Sequence, residues 1–209
     1  AAAIALAAYE DGADTALLAV GDKAADALAA APLAAKLNAP ILLTAKNELP
    51  EETVEALEDL GVKNVIIIGG TGAVSAEVAD ELEELGYDVD RISGADRFAT
   101  SLAIAEELED VEAVFVVNGQ RTADALSVSP VAAANNMAII LVNGKTVSDD
   151  VLEFVDGLDV YVVGGKAVVS DDVLEAVDGE RISGADRYAT NVALMEAFAD
   201  DMDFSVLYV

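Results

Sequence analysis

RISGADRFAT, at residues 91–100, returns as RISGADRYAT at 181–190, with nine of ten positions unchanged and Phe98 replaced by Tyr188. A chain that repeats a charged, turn-forming decapeptide is built from copies, and the copies limit the folds open to it. Two further segments recur in the same order. GDKAADALAAAPLAAKLNAPILLT, from Gly21, aligns with GQRTADALSVSPVAAANNMAIILV, from Gly119. IIIGGTGAVS, from Ile66, aligns with YVVGGKAVVS, from Tyr161. Each copy is about 95 residues, longer than a solenoid repeat and long enough for a complete α/β unit. The spacing between matched segments shrinks along the chain, so the second copy is the shorter.

Within a copy, apolar runs alternate with helical patterns. In the first copy strands are expected at 15–21, 40–44, 64–69 and 89–92, and helices at 24–37 and 50–60. A third helix follows Ser75, with apolar Val74, Val78, Leu82 and Leu85 on one side and Glu77, Asp80, Glu81, Glu83 and Glu84 on the other. Consecutive β-branched residues at 65–68 mark a strand buried on both faces. The expected fold class is therefore α/β: tandem repeated modules, each a parallel sheet flanked by helices, doubly wound in the Rossmann-like manner. The modules divide as 1–98, 99–188 and the start of a third at 189–209. Residues 2–9 correspond to the helix after the decapeptide, and 203–209 to the strand at 111–117. The chain thus begins and ends inside the pattern, and the third module is expected to be completed in cis or by another chain.

Composition narrows the chemistry. Hydrophobic residues make up 54% and aromatics 5%, which suits aliphatic helices packed on buried strands. No apolar run approaches the roughly 18 residues of a membrane span. There is no Cys and no His, which removes thiol chemistry, the usual zinc ligands and any histidine base. No metal and no cofactor is expected. Eleven Lys and Arg stand against 40 Asp and Glu, a net charge of −29. Such a surface repels nucleic acid and anionic lipid. It is either a plain solvated acidic face or an adaptation to high salt, in which screening relieves the repulsion. AAAIALAAYE lacks the basic start of a signal peptide and reads as helix interior.

Three features carry possible chemistry. The turn from Gly69 to Ser75 joins a strand to a helix, as phosphate-binding loops do, but its spacing is G-x-G-x-x-S. It is either a tight turn or an anion site, and a nucleotide- or phosphosugar-binding enzyme is the reading that goes with the latter. Asp26 and Asp124, in the shared A-D-A-L, are placed to cap, to pair with an arginine or to meet a ligand. In the decapeptide, Gly94 and Gly184 are expected to adopt a turn conformation closed to other residues. Asp96 and Asp186 are expected to cap the next helix. Of the five arginines, four are Arg91, Arg97, Arg181 and Arg187. They are expected to pair bidentately with carboxylates and tie one copy to the next, with Phe98 and Tyr188 burying a ring beside them. The decapeptide thus reads as a junction or a ligand contact.

With R-I-S-G-A-D-R-[FY]-A-T, A-D-A-L, A-P-I-L-L-T at 39–44 and I-I-G-G-T-G-A-V-S at 67–75 assembled in order and twice over, the chain resembles the cell-wall-binding repeat 2 family. The resemblance covers essentially the whole chain. It implies modules packed toward a pseudo-threefold array on a secreted, cell-surface protein. It implies non-covalent, non-catalytic anchoring to an anionic or neutral cell-wall polysaccharide, or a spacer role in an S-layer-type or adhesive protein. The polymer groove it implies maps to Pro40, Ile41, Leu42, Leu43 and Thr44. In the second copy the matching residues are Ile139, Ile140 and Leu141, after Ala138 in place of proline.

Overall fold

The computed structural model describes residues 1–202, so the strand expected at 203–209 lies outside the described residues. Two four-stranded parallel sheets follow one another along the chain. The first contains β1 (Thr15–Val20), β2 (Ile41–Thr44), β3 (Asn64–Ile68) and β4 (Asp88–Ile92) in the order β2-β1-β3-β4. The second contains β5 (Ala113–Asn118), β6 (Ala138–Val142), β7 (Asp159–Val163) and β8 (Glu180–Ile182) in the order β6-β5-β7-β8. The register repeats as well: Leu17 faces Ile41 and Ile66 across the first sheet, and Phe115 faces Ile139 and Tyr161 across the second.

The central strands are buried because their sequences are apolar throughout. Leu17, Leu18, Phe115 and Val116 are fully buried. The edges are managed in two ways. The outer strands β4 and β8 carry charged, exposed residues such as Asp88, Asp90 and Glu180, which discourage pairing with another sheet. The opposite edges lie under helices: α1 (Ala2–Ala8) packs on β2, and α6 (Arg97–Glu106) packs on β6.

The long helix expected at 24–37 is two short ones, α2 (Ala24–Ala29) and α3 (Ala31–Lys36), broken at Ala30. Pro32 starts the second, where its missing N–H costs nothing. The equivalent α7 (Thr122–Ala134) runs unbroken despite Pro130. Both end alike, at Asn38 (φ 48°) and Asn136 (φ 49°). The remaining helices are α4 (Glu51–Asp59), α5 (Ala76–Glu84), α8 (Asp149–Val155), α9 (Asp171–Ala176) and α10 (Arg187–Ala197), with a 3-10 turn at Ala199–Asp201.

The modules are not beads on a string. α7 packs against α2 and α3 of the first module and against α10. The Ser129 hydroxyl on α7 donates to the Leu28 carbonyl on α2 at 3.1 Å and to Ala125 O at 2.7 Å. One continuous apolar core therefore runs from Leu17, Ala29 and Leu33 through Val128 and Ala132 to Phe115 and Ile140. A second core, around Leu18, Leu57 and Ile67, fills the far side of the first sheet. Alanines on α2, α3 and α7 allow the close approach that makes the first core continuous.

Candidate functional site

The two decapeptides build the same local structure. Asp96 Oδ1 accepts from Phe98 N (2.9 Å) and Ala99 N (3.0 Å), capping α6, and Asp186 caps α10 in the same way. Gly94 N and Gly184 N each donate to the threonine hydroxyl six residues on, at 3.0 Å. Neither glycine has a positive φ. Their reason is close approach. A Cβ on Gly94 would lie 2.4 Å from Ala99 Cβ and 2.5 Å from its carbonyl carbon, and one on Gly184 would meet Ala189 equally closely.

The arginines also differ from expectation. Arg91 bonds backbone carbonyls rather than a carboxylate: Gly69 O at 2.7 Å, Val74 O at 3.0 Å and Ser75 O at 3.4 Å. Arg181 does the same at Gly164 O (2.6 Å) and Ser170 O (3.2 Å), and adds one contact to Asp171 Oδ1 at 3.1 Å. Both arginines therefore hold the glycine-rich turn of their own module. Arg97 makes the crossing, donating to Gly119 O of the second module at 2.8 Å. The guanidinium of Arg187 acts on Asp124 by charge. Phe98 is half-buried against Gly119, but Tyr188 is 76% exposed, with no such turn beside it among the described residues.

Both glycine-rich turns start with a left-handed residue, Gly69 (φ 104°) and Gly164 (φ 117°). They stand at the point where strand order reverses, the place at which doubly wound sheets bind ligands. An aspartate occupies that place in each copy. A Cβ on Gly69 would fall 3.0 Å from Asp26 Oδ2, and one on Gly164 would fall 2.9 Å from Asp124 Oδ2. Asp26 Oδ1 has no hydrogen-bond partner among the described residues. A carboxylate beneath each turn opposes phosphate there.

Burial pushes both carboxyls above the ordinary 3.8, against the attraction of Arg97 and Lys23 for Asp26 and of Arg187 and Arg121 for Asp124. The folded state then holds these protons more tightly than the unfolded chain. The gain is fully present below 3.8 and is lost as pH rises through the raised folded values. Asp124→Asn is accordingly expected to raise the unfolding midpoint at pH 7. Its advantage over the parent should close as pH falls to 3.8 in thermal melts. An advantage that persists below 3.8 would refute the electrostatic cause.

Of the residues mapped to a polymer groove, Leu43 is exposed and Ile41 half-exposed, while Pro40, Leu42 and Thr44 are buried. Ile139, Ile140 and Leu141 are all buried. The structure joins the two motifs that the sequence holds apart. The Ser101 hydroxyl on α6 accepts from Leu141 N at 2.9 Å, so the helix begun by the decapeptide lies along the edge of β6. At the C-terminal end of that edge is a cleft of about 550 Å³, lined by Gly94, Asp96, Phe98, Glu106, Leu141 and Asp150 among others. This seam cleft unites the turn of one module, the leading helix of the next and the strand end of the second copy. Its size is that of a small-ligand site. The equivalent end of the first sheet, around Leu43, Thr44 and Lys46, is a more open hollow of about 370 Å³. Among the described residues there is no cluster of three metal-ligating side chains, and no helix is long and apolar enough to cross a membrane.

The family description Cell wall binding domain 2 (CWB2) matches residues 1–79 and 91–174. N-acetylmuramoyl-L-alanine amidase LytC of Bacillus subtilis (strain 168) is 34% identical over 201 residues, which are 94% of this chain and 40% of that protein. Cwp6 from Clostridium difficile superposes with a TM-score of 0.88 at 33% identity, over 95% of this chain and 34% of its own. Cwp8 from the same organism gives 0.84 at 35% identity, over 90% of this chain and 34% of its own. The chain thus spans well under half the length of each.

Proposed function

The chain belongs to the cell wall binding domain 2 family, and on that premise we propose that it anchors a secreted protein, without catalysis of its own, to cell-wall polysaccharide. The carrying observation is the seam cleft, in which the repeated decapeptide and the repeated strand end become one surface. Each further module would repeat this seam, and several weak sites on one rigid body raise avidity without any one being tight. We read 1–98 and 99–188 as two modules and 189–209 as the start of a third. The packing of α10 against α7 supports that reading, in which a third module would extend the array toward a pseudo-threefold arrangement.

The nucleotide or phosphosugar reading is disfavoured by the aspartates beneath both glycine turns. A pure spacer role differs from anchoring in one observable, retention on purified walls. We expect the chain to sediment with cell walls and to be released when wall polysaccharide is extracted. Leu43→Asp, at an exposed position in the first-module hollow, is expected to cut retention about tenfold, roughly 1.4 kcal/mol, with the unfolding midpoint little changed. Full retention of a folded Leu43→Asp protein would remove that hollow from the site, and absence of retention for the parent would leave the spacer role.

A further inference from the structure

Resting on the anchoring reading, we infer that Asn118 is a positioning residue for the wall loop 143–148. With Gly144 it gives the second module a preformed site, where the first module has one that orders on binding. The two copies share a backbone frame at their strand ends. Ser75 N donates to Lys46 O at 2.8 Å in the first, and Ser170 N donates to Gly144 O at 2.8 Å in the second. Val20 and Asn118 end the matching strands β1 and β5, and both are buried. The copies part company in their side chains. Asn118 uses both ends of its amide: Oδ1 accepts from Gln120 N at 2.8 Å, and Nδ2 donates to Val168 O at 2.7 Å in the glycine-rich turn. Gly144 lies against that second bond. A Cβ there would fall 2.3 Å from Val168 O and 2.4 Å from Asn118 Nδ2, and its φ of 86° also favours glycine. Asparagine at 118 therefore demands glycine at 144. Where the strand ends in Val20, with no amide to seat, the matching position is Lys46, which has no positive φ. The two differences between the copies are one coupled change.

The coupled pair sets the loop that follows it. Gly144 is held against the Asn118 amide on one side and by Ser170 N at its carbonyl. Asn143 then closes the loop. Its Oδ1 accepts from Lys145 N at 2.8 Å and Thr146 N at 2.9 Å, and its Nδ2 donates to the Thr146 hydroxyl at 2.7 Å. Asn143, Thr146, Val147 and Ser148 line the seam cleft. A buried amide on β5 thus fixes a wall that it does not itself line. In the first module the Thr44 hydroxyl closes the corresponding loop on itself, donating to Ala45 O and Glu48 O at 3.0 Å each, and the Val20 side chain adds no hydrogen bond. A loop held in place before the ligand arrives loses less entropy on binding, so the same contacts give tighter binding in the second copy.

The test uses the whole chain and two separate readouts, amide hydrogen exchange in the loop and retention on purified cell walls. Asn118→Val, which installs the first module's residue, is expected to speed exchange at Lys145 and Thr146 about tenfold and to lower retention about tenfold. Gly144→Ala, which displaces the loop from the other side, is expected to act in the same direction on both. Leu82→Ala, in the separate core on the far side of the first sheet, is expected to lower the unfolding midpoint and leave both readouts unchanged. Val20→Asn with Lys46→Gly carries the pair into the first module, and is expected to raise retention about tenfold over Lys46→Gly alone. Unchanged loop exchange in Asn118→Val and Gly144→Ala overturns the inference, as does faster exchange with full retention. An equal retention loss in Leu82→Ala reduces Asn118 to a stability residue and overturns it too, as does a folded transplant retained no better than Lys46→Gly. A parent that is not retained on walls removes the anchoring reading and the binding role of Asn118 with it, while loop exchange still reports whether Asn118 holds the wall.

Discussion

Gly94→Ala is expected to lower the unfolding midpoint by roughly 6–12 °C, about 3 kcal/mol at the 2–4 °C per kcal/mol usual for a chain of this size. The added methyl would lie 2.4 Å from Ala99 Cβ, 2.5 Å from Ala99 C and 2.7 Å from Thr100 N. Two of these three atoms are backbone in the first turn of α6, so no rotamer change relieves the clash. The helix must move instead. Its N-cap would be disturbed, a contribution of about 1 kcal/mol. The Gly94 N bond to the Thr100 hydroxyl and the alignment of Ser101 with Leu141 N would be disturbed as well. Gly184→Ala should behave likewise at the second seam, where its Cβ would meet Ala189 C at 2.4 Å. Gly72→Ala is the control, because nothing lies within 4 Å of its Cβ. Equal midpoints for Gly94→Ala and Gly72→Ala in thermal melts would refute the close-approach account.

Raising NaCl from about 0.1 M to about 1 M is expected to raise the midpoint by at least about 10 °C, as the screening length falls from roughly 10 Å to roughly 3 Å. The charge of −29 is spread over 40 carboxylates and 11 cations, and only four ion pairs form among the described residues. Three of them join Lys36 to Glu109, Lys63 to Asp14 and Lys166 to Asp171, each with at least one well-exposed partner, and such pairs contribute little. Most of the acidic surface therefore repels itself with no local relief. The compact state holds these charges closer together than the unfolded chain does, so screening favours the compact state. A midpoint that stays level or falls with salt would show that the acidic face is merely solvated and that high salt brings no advantage.

The strands were legible because β-branched runs such as 65–68 are buried on both faces, and the repeat foretold the second sheet once the first was read. Side-chain partners were less legible. Arg91 and Arg181 are strongly charged residues in an acidic chain, and composition pointed them toward carboxylates. Their main partners are carbonyls of a glycine-rich turn that lies beside β4 and β8 only after the sheet has formed, with Asp171 the one carboxylate, at Arg181. Gly94 showed the need for a glycine but not its reason, which depends on how closely Ala99 returns over it. The candidate site was visible only in halves. Residues 93–106 and 141–151 are separated by β5 and α7, and nothing local in either segment announces the other. Ser101, which joins α6 to the β6 edge, carried no sequence signal beyond its position next to Thr100 in the decapeptide's helix.

The core shared by α2, α3 and α7 has a consequence for how such proteins are assembled by recombination. A gene segment encoding one module alone would express Ala29, Ala30 and Leu33, all buried at present, on an open face. That product would associate with whatever apolar surface it met. Duplications and fusions that carry a set of modules together avoid this exposure. Selection on solubility alone should therefore favour the inheritance of these modules as a block, with new partner domains joined outside it.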